Sequence, residues 1–242
     1  MVEKVTGIVI RETDVSEADK ILTVLTNEKG KISIRAQNIK RSKKIAYAGA
    51  GFLCYSDFVI SKASDIYFLR QCTPIETFFD ISEDVTSLSL ATYLGQITAE
   101  TIPEGVINKD VVSLLLNSFY VLKRHKYKPE FIKCVYEFRL MGEQGYLPNI
   151  LVCEKCGQKN FPMRFDVESG QINCGSCSKK GFLINESMLN AMQYIFFCNP
   201  KKIFSFSITN EVLDVLSDIS EQYVITHINK KVNALDYLKM FM

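Results

Sequence analysis

The alternation of hydrophobic and polar positions divides the chain into a strand-rich beginning and a helical remainder. Short runs of β-branched and aromatic residues fill the first eighty positions. Such runs are typical of strands, and five of them in this length predict a small barrel. The predicted strands are Val5 to Arg11, Ile21 to Thr26, Lys31 to Ala36, Phe52 to Ser61 and Ile66 to Thr73.

A turn sequence separates the second and third predicted strands. Asn27-Glu28-Lys29-Gly30 has asparagine and glycine, which tolerate positive φ, and it predicts an antiparallel hairpin. A five-stranded, partly open barrel is the oligonucleotide-binding (OB) fold, although the strand count alone also allows an SH3-like barrel.

From Asp84 onward, apolar residues recur at helical spacing until the breaker Pro103-Glu104-Gly105. Further helices are predicted at Lys109 to Arg124, after Pro129 until Gly145 and Pro148, and at Glu186 to Phe197, Asn210 to Ile228 and Val232 to Phe241. The fold class is therefore α+β. We expect a barrel over 1–80, a helical domain over 81–150, a cysteine module over 151–182, and C-terminal helices over 183–242 that pack on the helical domain.

Composition indicates a protein that folds without disulfides. Of 242 residues, 47% are hydrophobic and 23% are charged, which suffices for a sizeable core. No apolar run approaches the length of a membrane span, and the amino terminus lacks the apolar segment of a secretory signal. We therefore expect a cytoplasmic protein that has no membrane partner and keeps its thiols reduced.

Four of the eight cysteines form two close pairs, Cys153-x-x-Cys156 and Cys174-x-x-Cys177. This spacing is typical of two knuckles that share one tetrahedral zinc ion, and Gly157 and Gly175 suit the tight turns. Two disulfides, an iron-sulfur cluster and unrelated buried thiols are the alternatives. Four thiolates leave no open coordination position, so the predicted zinc is structural. For the other cysteines, Cys54, Cys72, Cys134 and Cys198, we predict burial as small hydrophobes.

No catalytic site is predicted. The two histidines, His125 and His227, belong to no recognisable catalytic grouping, and the chain has no P-loop or dinucleotide-binding glycine pattern. Glu17 and Asp19 are interpreted as solvated surface residues. We therefore expect neither catalysis nor a small-molecule substrate.

A basic stripe lies within the first domain, although the net charge of the chain is only +2. Its cations have no acidic residue among them and are the candidate phosphate contacts; they are Lys29, Lys31, Arg35, Lys40, Arg41, Lys43 and Lys44. A solvated loop is the alternative. The nearby aromatics either stack on bases or, as we favour, fill the core; they are Tyr47, Phe52, Tyr55 and Tyr67.

Several sequence blocks together resemble one protein family. In the first domain these are Gly7-Ile-Val-Ile-Arg11, Glu17-Ala-Asp-Lys-Ile21, Thr26-Asn-Glu-Lys-Gly30 and Ala36-Gln-Asn-Ile-Lys-Arg-Ser42. Later blocks are Phe138-Arg-Leu, Gly145-Tyr-Leu-Pro148, both cysteine pairs with Phe165 and Gly170 between them, and Tyr223-Val-Ile-Thr-His-Ile-Asn-Lys-Lys-Val with Leu235 and Leu238. Their order resembles that of RecO, a family of bacterial recombination mediators, along nearly the whole chain.

The resemblance implies an OB-fold domain, a helical domain and a zinc module. It also implies binding to single- and double-stranded DNA, strand annealing, and contacts with RecR and with the C-terminal tail of the single-stranded DNA-binding protein SSB. In the family, these activities help to load recombinase onto SSB-coated strands, which implies a location in the cytoplasm at the nucleoid. Two features depart from the family. Asn38 stands where members often have glycine, although asparagine also adopts the left-handed conformation, and the glycine-rich continuation is missing from Lys44 to Tyr47.

An SSB tail would need an apolar groove with a cation at its rim. Arg139 is one candidate for that cation. Structural packing beside Glu137 and Glu143 is the alternative.

Overall fold

The computed structural model of the chain describes residues 2–41, 49–228, 230 and 232–242. Its packing divides the chain into two units. Unit 1 comprises Met1–Arg124 with Val232–Met242, and unit 2 comprises His125–Lys231. The division follows packing and not chain order, because the last helix returns to the first one.

Five strands form the sheet of unit 1: β1 (Val2–Asp14), β2 (Lys20–Thr26), β3 (Gly30–Ala36), β4 (Cys54–Ala63) and β5 (Ile66–Thr77). β1 pairs with both β2 and β4, so the strand order β1-β2-β3-β5-β4 returns to its first strand. β3 and β5 meet through only two parallel register pairs, and the other pairings are antiparallel. The predicted five strands are confirmed. β1 and β5 are longer than predicted because their exposed ends have no apolar alternation.

The predicted hairpin between β2 and β3 is confirmed. Thr26 stands opposite Gly30 in the antiparallel register, and Gly30 adopts a φ of +65°. The Thr26 hydroxyl donates to the Gly30 carbonyl at 2.8 Å and accepts the Lys29 N–H at 3.0 Å. Asn27 donates its side-chain amide to the Tyr55 hydroxyl at 3.0 Å.

The sheet encloses a core because buried and half-buried positions alternate along its strands, most clearly in β3 and β4. The members of this core are apolar; they include Val5, Val9, Leu22, Val24, Ile32, Ile34, Phe58, Ile60 and Leu69. The middle of β1 is buried at successive positions because the helix Val85–Thr101 covers its outer face.

This helix approaches β1 closely at Gly95. A Cβ atom at Gly95 would lie 2.7 Å from the Ile10 carbonyl oxygen.

Six α-helices lie in the described residues: α1 (Val85–Thr101), α2 (Lys109–Lys123), α3 (Pro129–Glu143), α4 (Glu186–Phe197), α5 (Asn210–Ile228) and α6 (Asn233–Leu238). Side chains cap the amino termini of α1, α2 and α4. Asp84, Asn108 and Asn185 each accept the backbone N–H of the residue three positions later, at 2.8–3.1 Å. These helices confirm the predicted ones, except that α6 is shorter. No helix in this part of the chain is long and apolar enough to cross a membrane.

Unit 2 packs α3 against α5 and α4, and it carries a three-stranded sheet of β6 (Met163–Asp166), β7 (Gln171–Cys174) and β8 (Phe182–Ile184), in the order β7-β6-β8. The sheet docks through Phe165, whose ring lies 5.5 Å from that of Tyr223 on α5. Periodicity does not reveal strands of three or four residues, so this sheet was not predicted.

A buried ion pair joins α3 to α5. The Lys133 ammonium lies 3.0 Å from a Glu137 carboxylate oxygen and 3.1 Å from one of Glu221. The Ser220 hydroxyl donates to Glu137 at 2.6 Å. Each charge therefore has a charged or hydrogen-bonding partner, which buried charges require.

The domain boundaries expected at 80, 150 and 182 stay predictions. The packing units divide the chain after Arg124. The helix α6 lies with α1 in unit 1, where the Gln96 side chain accepts the backbone N–H of Ala234 at 2.9 Å.

Gly30→Ala tests the hairpin. A Cβ atom at Gly30 would lie 2.1 Å from the Val106 carbonyl oxygen, whereas one at Gly105, which has a φ of +75°, would meet nothing within 4 Å. Left-handed alanine alone costs about 1–2 kcal/mol. We expect Gly105→Ala to lower the free energy of unfolding by that amount and Gly30→Ala by at least about 3 kcal/mol, because the backbone clash adds to the strain. Equal losses in urea unfolding would contradict the close approach.

Candidate metal centre and basic stripe

Two tight turns bring the sulfur atoms of the four paired cysteines close together. In the first turn, the Gly157 N–H donates to the Cys153 carbonyl at 2.8 Å, and Gly157 takes a φ of +72°. In the second, which follows β7, the N–H groups of Cys177 and Ser178 donate to the Cys174 carbonyl at 2.9 and 3.1 Å. A chain reversal at each pair places both of its sulfurs on one side, as a knuckle requires.

The four sulfurs lie within 4.8 Å of one another. The Sγ atoms of Cys156 and Cys174 are 3.8 Å apart. A tetrahedral site with metal–sulfur bonds of about 2.3 Å has sulfur–sulfur edges of about 3.8 Å. All eight cysteines are described and all are free thiols, so the disulfide alternative is wrong.

The four cysteines influence one another's ionisation. Burial opposes ionisation of Cys153, but hydrogen bonds from backbone N–H groups, first that of Cys174 at 3.3 Å, lower its pKa to about 6. The neighbouring sulfurs, Cys174 first and then Cys156, raise the pKa of Cys177 to about 12. The thiolate of Cys153 is thus stabilised, whereas ionisation of Cys177 beside the other sulfurs is disfavoured. A metal ion would remove this repulsion, because thiolates are its ligands.

The donor set fits a structural metal site. Cys153 and Cys174 are buried, Cys177 is half-buried and Cys156 is exposed. Four sulfurs close a tetrahedron and leave no position for a substrate. The residues could therefore hold one metal ion, and tetrahedral sulfur sets suit zinc and iron alike.

Three of the other cysteines are buried, as predicted. Burial raises the pKa of Cys72 to about 11 and that of Cys134 to about 12, and it also raises the pKa of Cys54. Cys198 is only half-buried. The buried thiols stay protonated at neutral pH, as expected of small hydrophobes.

The structure gives each described cation of the basic stripe a partner. The Lys29 ammonium lies 2.6 Å from Glu3, and that of Lys31 donates to the Ala99 carbonyl in the last turn of α1. Arg35 pairs with Asp19 at 2.9 Å. The remaining two pairs are Lys40 with Asp14 at 2.9 Å and Arg41 with Glu17 at 3.1 Å. Lys43 and Lys44 lie outside the described residues.

These pairings were missed because the acids lie elsewhere in the sequence, on β1 and in the loop that follows it. The interpretation of Asp19 as a solvated residue was wrong. Its carboxylate accepts the backbone N–H of Asn38 at 2.9 Å as well as the Arg35 guanidinium. These contacts, the Asn38 N–H first, lower the pKa of Asp19. Asn38 takes a φ of +54°, which is the left-handed conformation expected at that position.

The three described aromatic candidates, Phe52, Tyr55 and Tyr67, are half-buried. Tyr67 packs against the core of the sheet and has the ammonium groups of Lys29 and Lys62 each 5.7 Å from its ring centre. Phe52 lines a cavity beside Ile10. Tyr55 accepts from Asn27. Tyr47 lies outside the residues that the structure describes.

Arg139 has a structural role. Its guanidinium donates to the carbonyls of Ile195 and Phe196 at 3.2 and 2.7 Å, near the end of α4, and pairs with Glu143 at 2.9 Å. The side chain is 12% exposed. Its donors are therefore occupied within unit 2, as in the structural alternative.

Comparison with known proteins shows the class to which this chain belongs, that of DNA repair proteins. The family models described as Recombination protein O N terminal and Recombination protein O C terminal match residues 1–78 and 82–236. The chain is 36% identical over 240 residues to the DNA repair protein RecO of Acetivibrio thermocellus, covering 98% of this chain and 96% of that protein. It is 30% identical over 238 residues to that of Caldicellulosiruptor bescii, with 98% and 97% covered. The chain therefore belongs to the RecO family, which confirms the resemblance.

Cys174→Ser tests whether the cysteine cluster binds metal. We expect the variant to lose its metal and to lower the local stability of residues 151–184 by several kcal/mol, because binding a structural metal is coupled to folding. Limited proteolysis with metal analysis measures both effects. Cys198→Ser is the matched control, since Cys198 lies outside the cluster. A metal-replete, protease-resistant Cys174→Ser protein would contradict the assignment.

Proposed function

We propose that the chain is a non-enzymatic DNA repair protein of the recombination-mediator type. It binds single- and double-stranded DNA, promotes strand annealing and, with RecR, helps to load recombinase onto SSB-coated strands. One observation carries the proposal: in a member of the RecO family, five strands pair in the order β1-β2-β3-β5-β4 and return to β1. That order supports an OB-fold barrel, a fold that holds oligonucleotides on a strand face and its loops.

The basic stripe is the proposed DNA contact of the barrel. Phosphates would replace carboxylates as partners of its cations. The exchange is easiest at Arg41 and Glu17, whose side chains are 67% and 91% exposed, since exposed ion pairs contribute only about 0–1 kcal/mol. It is hardest at Arg35, whose partner Asp19 is 14% exposed and also holds Asn38. We therefore assign phosphate binding first to Arg41, and next to Lys40, whose partner Asp14 is 66% exposed.

Zinc is the proposed occupant of the cysteine site, with a structural role. Four thiolates on two knuckles suit zinc, and a closed ligand set supplies folding energy and not chemistry. The partners proposed beyond DNA are RecR and SSB, at work in the cytoplasm beside the nucleoid, with no small-molecule substrate and no membrane.

A zinc-stapled scaffold whose barrel binds protein partners is the second candidate. The observation in its favour is that the described stripe cations already have partners. Failure of the protein to bind any oligonucleotide at low salt would support this scaffold.

Removing charge from the stripe tests the proposed DNA contact. We expect Lys40→Gln with Arg41→Gln to weaken binding to single-stranded DNA and to reduce the slope of log affinity against log salt by about 0.7 for each phosphate that the variant no longer binds. The control, Lys4→Gln with Lys62→Gln, removes the same charge from exposed or half-exposed pairs in unit 1. Fluorescence anisotropy titrations measure both. Equal effects of the two double variants would contradict a specific role of Lys40 and Arg41.

The family activity has a direct test, which is annealing of complementary strands coated with SSB. We expect the protein to accelerate annealing, and the Lys40→Gln, Arg41→Gln variant to accelerate it less, because held phosphates bring the strands together. Rates are read from the fluorescence of end-labelled strands. Unchanged annealing in the presence of the wild-type protein would contradict the mediator function.

A further inference from the structure

Four exposed lysines of unit 2 lie on two segments that are joined to each other. Lys126 and Lys128 precede α3, and Lys201 and Lys202 lie on the 3₁₀ helix Pro200–Lys202. Within the residues that the structure describes, none of them forms a salt bridge. Together they are called the lysine surface. Each described cation of the basic stripe, in contrast, has a partner.

The two segments that carry the lysine surface are joined side by side. The Tyr127 hydroxyl, between Lys126 and Lys128, donates to the carbonyl of Phe204, two residues after Lys202. The rings of Tyr127 and Phe204 are 6.2 Å apart. The Tyr194 hydroxyl on α4 donates to the carbonyl of Lys202 at 2.8 Å. Four cations are thus placed on one pair of neighbouring segments.

An aromatic cluster holds these segments in place. Phe131 on α3 lies 5.2 Å from Tyr127 and 5.1 Å from Phe206, and Phe206 lies 4.7 Å from Tyr194. Contacts of this kind contribute beyond the area they bury. The backbone of the lysine surface is therefore fixed while its ammonium groups reach solvent.

The contacts that the lysine side chains do make are neutral. The Lys126 ammonium lies 5.2 Å from the centre of the Tyr127 ring, and that of Lys128 donates to the side-chain oxygen of Asn210 at 2.9 Å. Glu211 follows Asn210 in the sequence. A hydrogen bond with Thr209 lowers the pKa of the Glu211 carboxyl. An anion that binds here displaces no carboxylate, so its Coulomb attraction is not offset by a broken ion pair.

A groove beside the lysine surface suits a nucleobase. It has a volume of about 600 Å³ and is lined by uncharged groups that include Ser187, Asn190, Tyr194, Phe206 and Thr209. Aromatic rings offer stacking faces, and hydroxyl and amide groups offer hydrogen bonds to base edges. Tyr194 belongs to both features, because it lines the groove and its hydroxyl donates to the Lys202 carbonyl. Cations beside an uncharged, partly aromatic groove favour a nucleic acid over an acidic peptide.

We propose that the lysine surface binds the phosphate backbone of single-stranded DNA, with bases entering the adjacent groove. The inference rests on the proposed DNA-binding function and adds to it a second contact, on the unit that lacks the barrel. One chain would then hold DNA through two separate surfaces. Two such surfaces would let one chain hold two strands at once, which favours strand annealing.

Paired charge removals test the proposal in the full-length protein with an oligothymidylate probe. We expect Lys201→Gln with Lys202→Gln to reduce the slope of log affinity against log salt by about 1.4, and the quadruple variant that adds Lys126→Gln and Lys128→Gln by about 2.8. The control, Lys159→Gln with Lys179→Gln, removes two exposed lysines of unit 2 outside the lysine surface and leaves the slope unchanged. Lys201 and Lys202 are exposed, so the double variant is expected to keep the wild-type thermal midpoint.

The outcomes separate this proposal from the function on which it rests. Loss of oligothymidylate binding on substitution of the lysine surface, with the control unaffected, supports it. Slopes equal to the wild-type slope in both lysine-surface variants overturn it and leave DNA binding by the barrel standing. Absence of binding by the wild-type protein overturns both proposals. Unchanged DNA binding together with loss of binding to an acidic peptide overturns it in favour of a protein partner.

Discussion

The outer part of unit 2 depends on four sulfur atoms that lie within 4.8 Å of one another. Its strands β6, β7 and β8 have only four, four and three residues, which is too little for an independently stable sheet. Backbone hydrogen bonds such as that from the Glu154 N–H to the Ile172 carbonyl hold the segment together. The four sulfurs bring the two knuckles close to each other, and Phe165 packs against Tyr223 of α5. A metal ion held by all four sulfurs would tie the two knuckles together, and folding of the segment would then be coupled to metal binding.

Charge is arranged differently on the two units, and this difference bears directly on DNA binding. In unit 1, carboxylates on β1 and its following loop accept most of the described stripe cations. Such ion pairs lower the positive electrostatic potential of the surface, so a DNA strand must compete with these carboxylates for the cations. On unit 2 the lysine surface has no such competition among the described residues. The cations most prominent in the sequence are therefore not the ones most available to an anion.

The sequence was informative wherever a local pattern determines local structure. Turn chemistry predicted the β2–β3 hairpin at Gly30, periodicity predicted α1 to α5, and spacing predicted the cysteine cluster. It was uninformative wherever contacts join distant positions. The partners of Lys29 and Arg35 lie 26 and 16 residues away in the sequence, and no local pattern marks the return of α6 to α1. Tyr127 and Phe204, which assemble the lysine surface, are 77 positions apart.

The assignment of the four cysteines as one closed metal site is tested most directly by X-ray absorption at the zinc edge, combined with metal analysis of protein purified without chelators. We predict one equivalent of zinc with four sulfur neighbours at about 2.3 Å and no nitrogen or oxygen bound to the metal. Less than about half an equivalent with free thiols, or an oxygen or nitrogen ligand, would contradict the assignment, because the four sulfurs would not then close the site.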